Sequence, residues 1–85
     1  MTASGIAIVG AALVTGIMIV DKGSSGNFAV YEGVDTDGLQ RYPTTAYTSL
    51  TNGQVIKFGQ NASPFSNMYL TLPTGAIVLV NIALR

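Results

Sequence analysis

The first 20 residues of the chain, Met1 to Val20, contain no charged side chain, and this run restricts what the chain can fold into. Between Gly5 and Val20 the only polar side chain is that of Thr15. A helix on the surface of a soluble protein needs a polar face, and this segment cannot supply one. The apolar arm therefore has to be buried, either in lipid or against protein.

The composition changes at Asp21. Residues 21–27 are rich in Gly and Ser, which predicts a flexible linker. Residues 28–85 are rich in Thr, Tyr, Val, Gly and Asn, a composition typical of β-structure. We therefore predict three parts: an apolar arm or membrane anchor at 1–20, a linker at 21–27 and a small β domain at 28–85.

Two conformations compete for the arm. Ala3, Ala7 and Ala11 are spaced four residues apart, as in closely packed helices, and a helix over 3–20 is about 27 Å long. The alternative is a strand, or two strands broken at Gly10, because each glycine costs about 1 kcal/mol in an aqueous helix and Ile and Val favour strands. We predict the helix, with extra β-strands as the alternative, although an all-apolar run has no periodicity that separates the two.

Three turn signals divide the rest of the chain: Asn52-Gly53, the stretch 35–38 and the stretch 73–75. The fold class that we predict is mainly β, a small antiparallel β-sandwich or barrel of about six strands preceded by the apolar segment. The predicted strands are residues 28–31, 39–42, 47–51, 54–58, 68–72 and 76–84.

Asn52-Gly53 is the strongest hairpin signal in the chain. A hairpin about this turn would place Thr51 opposite Gln54 and Leu50 opposite Val55. We therefore predict that 48–50 and 55–57 are paired strands.

The last predicted strand has apolar residues on both of its faces. One face carries Ala76, Val78, Val80, Ile82 and Leu84, and on the other face only Asn81 is polar. Such a strand at an exposed edge would aggregate, so we expect it to be covered by a neighbouring subunit or to lie inside the core. The predicted assembly or anchor residues are Ile6, Ile8, Val9, Leu13, Val14, Ile17, Ile19, Val78, Val80, Ile82 and Leu84.

Several classes of chemistry lack the residues that they need. The chain has no His and no Cys, and charged residues make up 9% of it with a net charge of +0. Asp35-Thr36-Asp37-Gly38 begins like a calcium loop, but Gln40 and Ala46 stand where that loop needs Gly and Glu, so an Asx turn is predicted instead. We predict no enzymatic activity, no catalytic residue, no metal, no cofactor, no small-molecule substrate and no nucleic-acid partner.

Low charge and apolar ends together indicate a chain that is surrounded by other molecules. The function predicted is a structural subunit of a repeating assembly, such as a small viral capsid, cement or membrane-linked virion protein. Its partners would be copies of itself or other structural subunits, and a lipid bilayer is a further candidate. The predicted location is a virion or an extracellular filament, with a membrane as the other possibility. The alternatives are a small membrane-anchored protein with an exposed β head and a filament, adhesive or receptor-binding module.

Overall fold

A computed structural model describes residues 1–58 and 62–83 of the chain. Eight strands form two antiparallel sheets, and the only helical turn in these ranges is a short 3₁₀ turn at Tyr47–Ser49. The strands are β1 Gly5–Ile8, β2 Ala12–Asp21, β3 Asn27–Glu32, β4 Leu39–Ala46, β5 Val55–Lys57, β6 Ser63–Phe65, β7 Met68–Thr71 and β8 Ile77–Ala83. The predicted mainly β, antiparallel class is confirmed, with eight strands in place of about six.

The two sheets enclose one hydrophobic cluster. Sheet A has the order β1-β7-β3-β4. In sheet B, β2 pairs with β8 along one edge and with β6 and β5, one after the other, along its other edge. We call the face of each sheet that points towards the cluster its inner face, and the opposite face its outer face. Both sheets contribute buried side chains, with Phe28, Val30 and Leu70 from sheet A and Val14, Ile17 and Val78 from sheet B.

The prediction of a helical arm is wrong, and the alternative of two strands broken at Gly10 describes what is found. β1 joins sheet A and β2 joins sheet B, and the chain crosses between the sheets at Gly10, whose φ is +88°. An apolar run without periodicity takes whichever structure its neighbours can pair with, and here two sheets offer it strand partners. Gly16 allows β5 to approach β2 closely, because a Cβ at this position would lie 2.5 Å from the carbonyl oxygen of Ile56 on β5.

No helix in the described ranges has the length and apolar content needed to cross a membrane.

The predicted linker region forms a turn that is bonded to another part of the chain. The N–H of Ser24 donates to the carbonyl oxygen of Thr74 at 2.8 Å, and the N–H of Thr74 donates to that of Ser25 at 2.6 Å. The arm on one side of this turn and the β unit on the other contribute side chains to the same hydrophobic cluster.

The prediction of a hairpin about Asn52-Gly53 is wrong, although the turn itself is present. The N–H of Gln54 donates to the carbonyl oxygen of Thr51 at 3.0 Å, and Gly53 has a φ of +85°. Residues 47–49 form the 3₁₀ turn, and β5 pairs with β2. The backbone of Ile19 on β2 forms hydrogen bonds with Gly53 and Gln54 at 2.6 and 2.7 Å. The long strand β2 therefore takes the place of the segment before the turn as the partner of β5.

The other turns follow their local chemistry. The N–H of Asp37 donates to Oδ1 of Asp35 at 2.9 Å, which is the predicted Asx turn, and β3 and β4 pair across it. The N–H of Ala76 donates to the carbonyl oxygen of Pro73 at 3.1 Å, and this turn leads from β7 in sheet A to β8 in sheet B.

Candidate interaction surface

The predicted assembly or anchor residues are distributed between the core and the surface. Ile8, Val14, Ile17, Ile19 and Val78 are buried in the hydrophobic cluster, Leu13 and Val80 are half-buried, and Ile6, Val9 and Ile82 are exposed. Leu84 lies outside the described residues. The buried members pack against the core of their own chain. Contact with a second molecule is therefore left to the exposed apolar residues.

Three apolar side chains from neighbouring strands line up on the outer face of sheet B. Met18 on β2 lies opposite Val55 on β5 and opposite Leu79 on β8, and we call these three residues the central row. The strand period of two places them outwards, because the residues beside them, such as Ile17 and Val78, are buried on the inner face. Val55 is 49% exposed, Leu79 is 51% exposed and Met18 is half-buried.

Apolar residues continue from the central row towards one end of β2. Ile77 lies opposite Asp21 and is 38% exposed, and Val20 is the extra residue at a bulge in β2 and is also exposed. Towards the other end, Lys57 and Asn81 flank Gly16 on its two sides. The outer face of sheet B thus has an apolar centre with one cationic and one anionic side chain at its margins.

The outer face of sheet A is also partly apolar but carries hydroxyl groups. Tyr31 and Tyr69 lie opposite each other on β3 and β7, with ring centroids 6.4 Å apart, and both are half-buried. Ile6 lies opposite Tyr69 on the far side of the pair and is exposed.

The ion pair of Glu32 and Arg41 connects sheet A to β6 of sheet B. Nη1 of Arg41 donates to Oε1 of Glu32 at 2.7 Å, and Nη2 donates to Oγ of Ser63 on β6 at 2.7 Å. The guanidinium carbon lies 4.2 Å from the centroid of the Phe65 ring, and the N–H of Ser66 donates to Oε2 of Glu32 at 3.0 Å.

This environment lowers the pKa of Glu32. The hydrogen bond from Arg41 is the largest cause and the one from the Ser66 N–H is the next, since both favour the charged carboxylate. The contacts of the cluster join β3 and β4 of sheet A to β6 and to Ser66, the residue that follows β6. Its chemistry is that of a bridge between the sheets.

No group of three or more His, Asp or Glu side chains within the described ranges is placed to hold a metal ion. Oδ1 of Asp35 accepts a hydrogen bond from the N–H of Asp37 in the same turn, and Oε1 of Glu32 accepts one from Arg41.

Sequence reasoning left Met18 and Val55 out of the predicted site. Met18 lies in the all-apolar arm, where no alternation marks an outward residue. For Val55 the signal was alternation, because the next residue, Ile56, turns to the core. The same alternation in the last strand identified Ile77 and Leu79 as a second apolar face. What the sequence could not give is that these residues come from adjacent strands, because β2, β5 and β8 are far apart along the chain.

Comparisons with known proteins return no relative: no family model matches the chain, and no curated protein or solved structure resembles it significantly.

Proposed function

We propose that this chain is a non-enzymatic structural subunit of a repeating assembly, in the class of small viral capsid, cement or membrane-linked virion proteins. The observation that carries the proposal is the outer face of sheet B, where the central row leaves apolar side chains about half exposed. Exposed apolar patches on a folded chain mark sites of association.

The charge of the chain supports the same proposal. Charged residues make up 9% of the sequence and the net charge is +0, so little electrostatic repulsion opposes close packing of copies. Part of that charge is engaged internally, because Glu32 and Arg41 pair with each other. The partners that fit are other copies of the chain or other structural subunits, and the proposal needs no cofactor.

For the architecture we propose the sandwich form of the predicted fold. One hydrophobic cluster has side chains from both sheets, as in two sheets packed face to face. Within the described residues no strand ladder joins sheet A to sheet B, and a closed barrel would need such a ladder.

The copy number of the protein in purified particles or filaments tests the function. We expect quantitative mass spectrometry of particles from the source that produces this chain to find it in many copies, in a fixed ratio to the other structural proteins. Its absence from particles, together with recovery from the membrane fraction, would contradict the proposal and favour a membrane protein. A soluble enzyme from the same source is the control for carry-over during purification.

A further inference from the structure

The outer face of sheet B carries opposite charges on the two sides of the central row. Along β8, Ile77 and Asn81 each lie two residues from Leu79, or about 7 Å. The row at Asn81 contains Lys57, and the row at Ile77 contains Asp21. One positive and one negative side chain, both exposed, therefore lie at matching steps on opposite sides of an apolar centre.

We infer that this face packs against the same face of a second copy, across a two-fold axis that runs across the strands at the central row. The inference rests on the proposed function and names the contact surface of that function. A two-fold interface uses one patch twice, so the patch has to complement itself. The rotation exchanges the two flanking rows and keeps each strand facing its own copy. Lys57 on β5 of each copy therefore lies one strand spacing, about 4.8 Å across the strands, from Asp21 on β2 of the other copy, within reach of its long side chain.

The arrangement covers the apolar residues that the single chain leaves in water. Sheets that pack face to face interdigitate their side chains at a separation of about 10 Å. The two central rows would meet at the centre, where burial contributes most to association, and the two Lys57–Asp21 pairs would lie at the rim, where charges set orientation.

Other surfaces suit a second copy less well. The outer face of sheet A carries the hydroxyl groups of Tyr31 and Tyr69, and burial of these groups against a second copy would cost their hydration. The free edge of β8 is already bonded at Val78, where Met1 donates from its amino group at 2.7 Å and accepts from the Val78 N–H at 2.9 Å. Strand addition along that edge would have to displace Met1.

Sedimentation equilibrium of the full chain, from about 1 μM to about 1 mM, tests the inference. We expect a reversible dimer in the wild type. Leu79→Asp should raise the dissociation constant about tenfold or more, because it places a charge in the apolar centre.

Charge exchange tests the two-fold geometry. Lys57→Asp alone and Asp21→Lys alone should each weaken the dimer, and the double variant should regain most of the wild-type affinity. Oδ1 of Asp21 also accepts the Gly23 N–H at 2.9 Å, so Asp21→Asn provides a second variant that keeps an acceptor and removes the charge. Circular dichroism and melting temperature confirm that each variant is folded.

Two controls locate the contact. Ile6→Asp changes the outer face of sheet A, and Ile82→Asp changes a residue near the end of β8. Neither substitution should weaken the dimer as much as Leu79→Asp does. A wild type that stays monomeric over the whole range overturns the inference, as does a double charge variant that regains no affinity. Association that survives Leu79→Asp but is lost in either control also overturns the inference. None of these results contradicts the proposed function as a structural subunit, because the copy number in particles tests that function separately.

Discussion

The outer faces of the two sheets are built from similar strands but meet water differently. In sheet A the row through Tyr31 and Tyr69 carries hydroxyl groups, which can hydrate while the rings pack beside each other with their centroids 6.4 Å apart. In sheet B the equivalent row is Val55, Met18 and Leu79, which have no group that binds water well. The two faces share a strand pattern and differ in the tips of their outward residues, which set how strongly each face is hydrated.

A second difference separates the two faces of β2 itself. Ile17 is fully buried on the inner face, and Met18, the next residue, lies on the outer face. One face is therefore committed to the stability of the chain, and the other is available for association. The following changes separate these two roles.

The largest effect is expected for Ile17→Ala. Loss of a fully buried Ile side chain should lower the free energy of unfolding by about 2–5 kcal/mol, because it removes apolar contacts and leaves a cavity. Leu79→Ala on the outer face is the matched control and should cost about 1 kcal/mol or less, since half of that side chain is already in water. Urea unfolding followed by circular dichroism measures both.

If Ile17→Ala does not fold, Ile17→Val, with an expected loss of about 0.5–1.5 kcal/mol, replaces it. Equal losses for Ile17→Ala and Leu79→Ala would contradict the distinction.

Gly16→Ala should destabilise the pairing of β2 with β5. The added methyl group would lie 2.5 Å from the carbonyl oxygen of Ile56, and the backbone would have to move at a cost of about 1–3 kcal/mol. Gly53→Ala is the control for backbone conformation, because the residue has a positive φ and, apart from its two chain neighbours, no heavy atom of residues 1–58 or 62–83 lies within 4 Å of the added methyl there. That change should cost about 1 kcal/mol. The melting temperature of Gly16→Ala reports the cost of the steric contact with Ile56, and that of Gly53→Ala reports the cost of backbone strain. A Gly16→Ala variant as stable as the wild type would show that β5 can move away from β2 with no loss of stability.

Exchanging the outward groups of the two sheets should exchange their behaviour in water. Leu79→Tyr gives sheet B a hydroxyl and is expected to raise solubility severalfold in ammonium sulfate precipitation. Tyr31→Phe combined with Tyr69→Phe removes the hydroxyls from sheet A and should lower solubility, with little change in melting temperature. If both variants precipitate at the wild-type concentration of salt, the hydroxyl groups are not what separates the two faces.

The smallest effect is expected at the bridge between the sheets. Because the pKa of Glu32 is lowered in the folded chain, the carboxylate favours the folded state at neutral pH, and this contribution is lost as the pH falls below the usual value of about 4.5 and through the lowered one. Glu32→Gln should remove that acid-dependent part of the unfolding free energy, which is under about 1 kcal/mol for a partly exposed pair. Asp37→Asn, which removes a carboxylate from the neighbouring turn, is the control. Identical stability profiles for wild type and Glu32→Gln between pH 6 and pH 3 would contradict the prediction.

Chemistry within a few residues determined the features of the fold that the sequence predicted correctly. The Asx turn at Asp35 needs only its own carboxylate and an N–H two residues away, and Pro73 begins a turn that closes on Ala76. Alternation in the last strand likewise placed Val78 and Leu79 on opposite faces, although which face is buried was decided by the fold. These features could be predicted because they depend on neighbours in the chain.

Only the tertiary structure decided the conformation of the arm and the partner of β5. The arm has no polar residue to set a period, so the availability of strand partners in both sheets decided between helix and strand. At Asn52-Gly53 the sequence determined the turn, but β5 pairs with the long strand β2 and not with the local segment 47–51, in which Tyr47–Ser49 forms a 3₁₀ turn. The central row has the same origin. Alternation predicts Val55 and Leu79 as outward residues, but the orientation of Met18 and the meeting of the three residues depend on strand pairing across distant parts of the chain, which no local pattern encodes.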